Sequence, residues 1–410
     1  MAPQTQVTKP SEQPFTFESE IYVEGVSGKR PAISLNPFDW EPLAKERLSA
    51  DSFGYVWGSA GSRETDDNNR EAFKKWGIVP SRLVKSDFPQ MKTTLFGEEY
   101  AFPIALAPVG VQRIFHRDGE IASASAAHDN NVTYILSTAA ASNFENVAAA
   151  NGVDGSRWYQ LYWPLNEHND ITASLLRRAK AANYKVLVVT LDTYILGWRP
   201  SDLGNGYNPF LKTDNIGVEI GFSDPVFRKN FQEKHGKTIE EDMGTAAAEW
   251  AHTVFAGVSH SWEDLAFLRS HWDGPIVLKG IQTVRDAELA VKWGMQGIVV
   301  SNHGGRQQDG GVGSLDMLPE IVDAVGDKLE IIFDSGVRCG ADCLKALALG
   351  AKMVLIGRPY IYGLAIGGKE GASHVIRSIL GDLQLNLHLS GIPSVSPKVL
   401  NRSVLRRTRY

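Results

Sequence analysis

From about Ile104 onward, short apolar runs rich in β-branched residues alternate with stretches of helical period, and this alternation restricts the fold more than any other feature. The runs are PIALAPV from Pro103, VTYILST from Val132, RWYQLYW from Arg157, KVLVVTLDT from Lys185, PIVLKG from Pro275, GIVVSNHGG from Gly297, EIIFDSG from Glu330 and KMVLIGR from Lys352. Most are apolar almost throughout rather than at every second position, as expected of strands covered on both faces. Parallel strands joined by crossover helices meet that demand, and eight of them close into an α/β fold of the (β/α)8 type, a TIM barrel. Helices are expected at Asp118–Asn130, Asp170–Asn183, Thr283–Gly294 and Cys339–Gly350, the last two ending at glycines suited to a left-handed cap.

A barrel of this kind needs ~250 residues, so a chain of 410 leaves room for one large domain with extensions. Residues 1–30, rich in Pro, Gln, Thr and Ser, are expected to form a mobile arm. Residues 31–391 form the barrel domain, with Asp39–Trp76 as an N-terminal helical extension, and 392–410 a C-terminal tail. After the fourth strand, residues 200–261 form an insertion of roughly sixty residues, far beyond an ordinary βα loop. On the catalytic face of a barrel such an insertion is a candidate lid.

A formal net charge of -5 and a pI near 6.1 offer no field for nucleic acid or an acidic membrane surface. Cys339 and Cys343 lie four positions apart on one expected helix and predict reduced packing residues, and no metal site is expected. No apolar stretch reads as a signal peptide or a membrane span, and the last residues are not a peroxisomal tripeptide, so a cytoplasmic protein is expected.

Barrel enzymes keep their reacting groups at the C-terminal ends of the strands. Here those ends carry Gln160 and Tyr162, Thr190 and Asp192, Lys279, the run Ser301-Asn302-His303, and Asp334. The segment SNHGGRQ from Ser301 sets a histidine that titrates near neutrality three positions before Arg306. Such a pair suits removal of a proton from a substrate whose carboxylate a guanidinium grips bidentately. Arg199, after the fourth strand, is either a second arm of that clamp or half of a surface ion pair. Asp192 either orients His303 or caps a helix. Glycines and arginines at Ser335-Gly336-Val337-Arg338 and Gly357-Arg358 occupy the loops where barrels commonly bind phosphate. Lys279 either stabilises negative charge on a ring system or pairs with a structural carboxylate.

Together SNHGGRQ, DSGVR from Asp334, LALGA from Leu347 with IGRP from Ile356, and QLYW from Gln160 with TLDT from Thr190 resemble the FMN-dependent L-2-hydroxy acid oxidase family. That family includes glycolate oxidase, lactate oxidase and lactate 2-monooxygenase, and the resemblance runs from about Pro37 to Gly391. It implies FMN as cofactor and His303 as base, supported by Asp192. Arg199 and Arg306 would hold the substrate carboxylate in a pocket lined by Tyr55 and Tyr162. The flavin would rest on Pro108, Val109 and Gly110, with Ser137, Gln160, Thr190, Lys279 and Ser301 around the ring. Asp334, Ser335, Gly336, Arg338, Gly357 and Arg358 would meet its ribityl chain and phosphate.

GWRPSDL from Gly197, the long insertion and Gly110 are more similar to lactate 2-monooxygenases than to glycolate oxidases. This implies L-lactate and O2 as partners, giving acetate, CO2 and water while pyruvate stays bound. The alternative is an oxidase or dehydrogenase that releases the 2-oxo acid with peroxide or a reduced acceptor. The resemblance also implies a homotetramer or homo-octamer. Ala139, where glycolate oxidase has a tryptophan, together with Tyr194 and Trp57, departs from the wider pattern and implies a differently shaped pocket.

Overall fold

The computed structural model describes residues 17–85, 87–211 and 216–408. Ahead of the barrel come helices α1 (Phe17–Val26), α2 (Trp40–Arg47), α3 (Ala50–Trp57) and α4 (Glu64–Lys74), then short strands β1 (Trp76–Ile78), β2 (Thr93–Leu95) and β3 (Glu98–Tyr100). Each apolar run then becomes a strand. These are β4 (Ile104–Leu106), β5 (Thr133–Ser137), β6 (Arg157–Tyr162), β7 (Leu187–Thr190), β8 (Ile276–Ile281), β9 (Gly297–Val300), β10 (Glu330–Phe333) and β11 (Met353–Ile356). All pair in parallel, and β11 returns to β4 to close the barrel.

Around it lie α5 (Gly119–Asp129), α6 (Phe144–Ala150) and α7 (Asn169–Ala181), the insertion helices α8 (Pro200–Gly204), α9 (Glu219–Phe222), α10 (Pro225–His235) and α11 (Met243–Val254), then α12 (Leu265–His271), α13 (Val284–Lys292), α14 (Ser314–Val325), α15 (Gly340–Ala348) and α16 (Arg358–Leu389). Gly294 and Gly350, after α13 and α15, have φ of 71° and 111°, the left-handed conformation expected of helix-ending glycines.

The barrel interior explains where the site forms. Ile135, Trp158, Val188, Val277, Val299 and Ile332 point inward and fuse into one buried apolar plug. The β2–β3 hairpin closes its base, with Phe96 and Tyr100 edge-on to Trp158 at 6.0 and 5.8 Å. Side chains alternate along a strand, so the residues two positions further on share the inward face: Ser137, Gln160, Thr190, Lys279, Ser301 and Asp334. The switch from apolar plug to polar ring thus occurs at one level of the barrel on six strands.

Three stretches carry structure that the sequence alone leaves unspecified. Within the expected arm, α1 is a helix that sets Phe17 edge-on to His374 at 5.6 Å and pairs Glu20 with Arg377, while residues 1–16 lie outside the described residues. The insertion is largely helical: Phe227, Phe231 and Trp250 are buried in it, and Asp224, which caps α10, accepts from Ser174 of α7 at 2.8 Å. The C-terminal tail is fastened back, since β12 (Leu405–Arg407) pairs antiparallel with β1. Both cysteines are free. No described helix is long and apolar enough to cross a membrane.

Candidate active site

Above the polar ring lies a cavity enclosing roughly 970 Å³ free of protein atoms, its open mouth included. Of the residues the sequence nominates, Tyr55, Pro108, Val109, Gly110, Tyr162, Arg199, Lys279, His303, Arg306, Asp334, Ser335, Gly336, Arg338, Gly357 and Arg358 form its wall. Ser137, Thr190 and Ser301 are buried beneath that wall and bond or pair with residues that form it, and the buried Gln160 bonds Ser137. Asp192 stands behind His303, on the wall of a neighbouring cleft.

His303 sits at the end of β9 with φ of 58°, a conformation a non-glycine residue keeps only where its surroundings insist. They do so here. Its N–H donates to Ser301 Oγ at 3.1 Å, the Gly304 N–H to Ser335 Oγ at 3.0 Å, and Asn302 and Asn69 exchange two amide bonds at 2.8 Å each. His303 Nδ1 lies 2.8 Å from Asp192 Oδ1. No helix begins at Asp192, so it caps none, and its carboxylate is placed to hydrogen-bond the imidazole. Burial holds the His303 pKa below its ordinary value of 6.5, against the opposing pull of Asp192. For Asp192 the balance is reversed: burial raises its pKa, but its pairing with His303, the Lys279 charge and the hydrogen bond from Thr193 outweigh it and keep the carboxyl ionised. The result is a neutral imidazole that presents Nε2, which has no hydrogen-bond partner among the described residues, on the cavity wall.

Arg199 and Arg306, the arginines expected to form a clamp, come together although they are 107 residues apart. Arg199 Nε donates to the Arg306 carbonyl at 3.0 Å and its Nη2 to Gln307 Oε1 at 2.7 Å, leaving Nη1 free apart from Asp202 Oδ2 at 4.0 Å. Arg306 Nη1 donates to the carbonyls of Tyr55 and Gly58 at 2.5 and 2.7 Å. Arg199 is 4% exposed, so it is not half of a surface pair. Both guanidinium groups flank the Tyr55 ring, at 5.9 and 5.0 Å. Burial and then the Arg199 charge press the Arg306 pKa down to about 9, a balance that the more distant Asp202 opposes without reversing.

A second pair of arginines stands in the same cavity. Arg358 reaches Asp66 Oδ1 at 3.3 Å, Ser59 Oγ at 3.1 Å and the Gly304 carbonyl at 3.0 Å. The Arg338 guanidinium bonds the adjacent Val337 carbonyl at 3.0 Å, and burial followed by the Arg358 charge lowers its pKa. Beside them Gly336 has φ of 86°, and Gly357 begins α16, whose first turn leaves backbone N–H groups directed outward. This donor set fits a phosphate.

The polar ring fits a flavin ring system. Ser137 Oγ donates to Gln160 Oε1 at 2.9 Å, while Gln160 Nε2 is buried with no acceptor, which calls for one on a ligand. Lys279 Nζ donates to Ser301 Oγ at 3.1 Å and lies 3.5 Å from Asp334, so it has a structural partner and still faces the cavity.

Some site residues were not found from sequence. Gln307 follows Arg306 directly. Asn69 and Asp66 come from α4 and act on loops more than two hundred residues away. Gly280 has φ of 104°, and a Cβ there would lie 3.0 Å from Asp192 Oδ2. Phe210 and Phe255 bring the insertion to the cavity wall, Phe255 packing on Tyr162 at 5.1 Å.

Comparison with known proteins agrees with this geometry. A family model of FMN-dependent dehydrogenases matches residues 44–407. An FMN-dependent alpha-hydroxy acid dehydrogenase of Schizosaccharomyces pombe is 65% identical over 395 residues, covering 96% of this chain and 97% of its own. An L-lactate oxidase of Lysinibacillus sphaericus is 38% identical over 385 residues, covering 93% and 95%. The crystal structure of a mandelate oxidase superposes with a TM-score of 0.77 at 34% identity, covering 88% of this chain and 96% of that one.

Proposed function

The chain belongs to the FMN-dependent dehydrogenase family and is an oxidoreductase of α-hydroxy acids that uses FMN; from that premise we propose that it oxidises a small apolar L-2-hydroxy acid, L-lactate first. The observation that carries this reading is the neutral His303 imidazole on the same wall as two guanidinium groups whose carboxylate neighbour, Asp202, comes no nearer than 4.0 Å to Arg199. Arg199 Nη1 and the free nitrogens of Arg306 hold the substrate carboxylate, and the Tyr55 and Tyr162 hydroxyls meet its polar groups. His303 Nε2 takes the proton of the 2-hydroxyl, and Asp192 stabilises the imidazolium through Nδ1. Bound FMN supplies a two-electron acceptor. Pro108, Val109 and Gly110 would support its ring, Ser137, Gln160, Thr190 and Ser301 would hold the ring's polar edge, and Lys279 would provide positive charge there. Asp334, Ser335, Gly336, Arg338, Gly357 and Arg358 hold the ribityl chain and the phosphate.

With O2 as co-substrate we propose the 2-monooxygenase outcome, in which lactate and O2 become acetate, CO2 and water. Phe210 and Phe255, packed on each other at 5.3 Å and with Phe255 against Tyr162, make an apolar roof that supports retention of pyruvate. Product analysis tests this: acetate and CO2 in equal amounts are expected, whereas stoichiometric pyruvate and peroxide would replace it with the oxidase alternative. A second reading, a bulkier apolar 2-hydroxy acid released as its 2-oxo acid, is favoured by the small Ala139 on the wall. Initial rates across a series of L-2-hydroxy acids decide it.

A further inference from the structure

Gln307 uses every hydrogen-bonding group of its amide on the two loops that build the substrate half of the cavity. Its Oε1 accepts from Arg199 Nη2 at 2.7 Å and from the Gly197 N–H at 3.3 Å. Its Nε2 donates to the carbonyls of Asp192 at 2.9 Å and Ile195 at 2.8 Å. Turning the amide over would set N–H against guanidinium and oxygen against carbonyl, so these partners fix its orientation. The two loops meet closely here, since a Cβ on Gly197 would come within 2.4 Å of the Gln307 carbonyl oxygen.

This geometry combines two functions. One end of the amide anchors the backbone of Asp192, the residue that orients His303. The other directs a substrate-facing guanidinium and, being neutral, leaves its charge for a ligand. A carboxylate in that place would accept the same bond from Arg199 but pair with its charge, and would meet two carbonyl oxygens with no proton to offer. An apolar side chain would leave the charge intact and release both loops. We propose that Gln307 is a positioning residue that couples the substrate clamp to the Asp192–His303 pair, setting the aim of Arg199 and the seat of the base together. This rests on the proposed roles of Arg199 and His303.

The test compares two variants of the FMN-loaded enzyme, Gln307→Glu, which keeps shape and adds charge, and Gln307→Met, which keeps volume and removes hydrogen bonding. Propionate, a carboxylate with no hydroxyl to oxidise, is titrated against the flavin absorbance; anaerobic flavin reduction by L-lactate is followed by stopped flow between pH 5 and 9. Gln307→Glu is expected to weaken propionate roughly tenfold or more. Gln307→Met should weaken propionate less, by about threefold to fivefold through lost aim rather than lost charge, yet reduce flavin at least about tenfold more slowly, with the acid limb of its pH profile moved to lower pH as Asp192 loses its hold on the imidazole. Unchanged propionate affinity in Gln307→Glu overturns the proposal. Equal losses in both variants, with no change in the pH profile, also overturn it by showing that the amide only packs. If Gln307→Met yields no holoenzyme, the isosteric Gln307→Glu decides alone. Should wild type bind propionate but not be reduced by L-lactate, the substrate reading fails while the titration still tests Gln307.

Discussion

Arg338 with Arg358, and Arg199 with Arg306, each place two like charges in one cavity, but they are held by different chemistry. The first pair has an internal counter-ion: Arg358 reaches the buried Asp66, and burial, which would raise the Asp66 pKa, is outweighed by Arg358, Arg338 and Arg63. The second pair is fastened by neutral acceptors, three backbone carbonyls and the Gln307 amide, with Asp202 no nearer than 4.0 Å. Neutral acceptors orient a guanidinium without consuming its charge. A ligand that stays needs a site that is stable with it in place; one that must enter and leave needs charge kept available. On the proposed assignment, the difference separates a cofactor site from a substrate site within one cavity.

The largest effect should come from a change that spares both pairs. His303→Ala is expected to retain FMN and to hold a carboxylate within roughly tenfold of wild type, while flavin reduction slows by ~10² to 10⁴. Stopped-flow reduction beside a propionate titration checks this. Near-normal reduction would mean that another group takes the proton, and loss of FMN would mean that the base and the phosphate site are not separable.

Next come the pairs themselves. Losing one partner of a buried charge interaction costs about 2 to 5 kcal/mol. Arg338→Met should therefore weaken FMN by ~10²-fold or more, while the FMN-saturated variant reduces within about threefold of wild type. Arg306→Met should do the reverse, keeping FMN and raising the substrate concentration for half-maximal reduction by ~10²-fold. Flavin fluorescence titration and stopped flow read the two losses separately. If Arg306→Met sheds its FMN, the division between the pairs is wrong.

How far this division was visible in the sequence depends on which forces place each residue. The barrel strands were legible because burial on both faces leaves a local mark, the near-continuous apolar run, and because each polar residue at a strand end follows its inward apolar partner by two positions, as Gln160 follows Trp158 and Lys279 follows Val277. Arg306 and His303 were found because they share a short segment. Asp66 and Asn69 were not, since nothing near them in the chain marks what they touch; their partners Arg358 and Asn302 lie 292 and 233 residues away. The insertion helices were missed for another reason. Their apolar faces pack on each other and on α7, as Phe227 does edge-on to Trp250 at 5.1 Å, within short helices broken by glycine and proline.

A smaller effect tests how the base is tuned. Burial lowers the His303 pKa and Asp192 raises it. Catalysis needs the neutral imidazole, so flavin reduction should be full at neutral pH and fall as pH drops through a value below 6.5. Asp192→Asn removes the charge that raises the pKa, so the acid limb should move to still lower pH. Its plateau rate should also fall by roughly tenfold or more, because the imidazolium loses its counter-ion. A limb that moves upward would show that Asp192 does not act on His303 through its charge.

The smallest effect concerns the roof over the substrate side, where only the fate of the product should change. Gly110→Ala is a poor probe of product retention, because a Cβ there would come within 2.6 Å of the Ala139 carbonyl oxygen and displace the loop that follows β5. Shortening 204–255 is worse, since it would remove the buried Phe227, Phe231 and Trp250. Phe210→Ala is cleaner: Phe210 is 3% exposed and packs on Phe255 at 5.3 Å. If the roof keeps pyruvate beside the reduced cofactor, the variant should release more pyruvate and peroxide relative to acetate. The partition is a competition between rates, so a change of about 1.4 kcal/mol in one barrier shifts it tenfold. A several-fold shift is expected, with anaerobic flavin reduction by L-lactate within about threefold of wild type. An unchanged acetate share in Phe210→Ala would mean that the insertion does not govern retention, and that the clamp arginines hold the product by themselves.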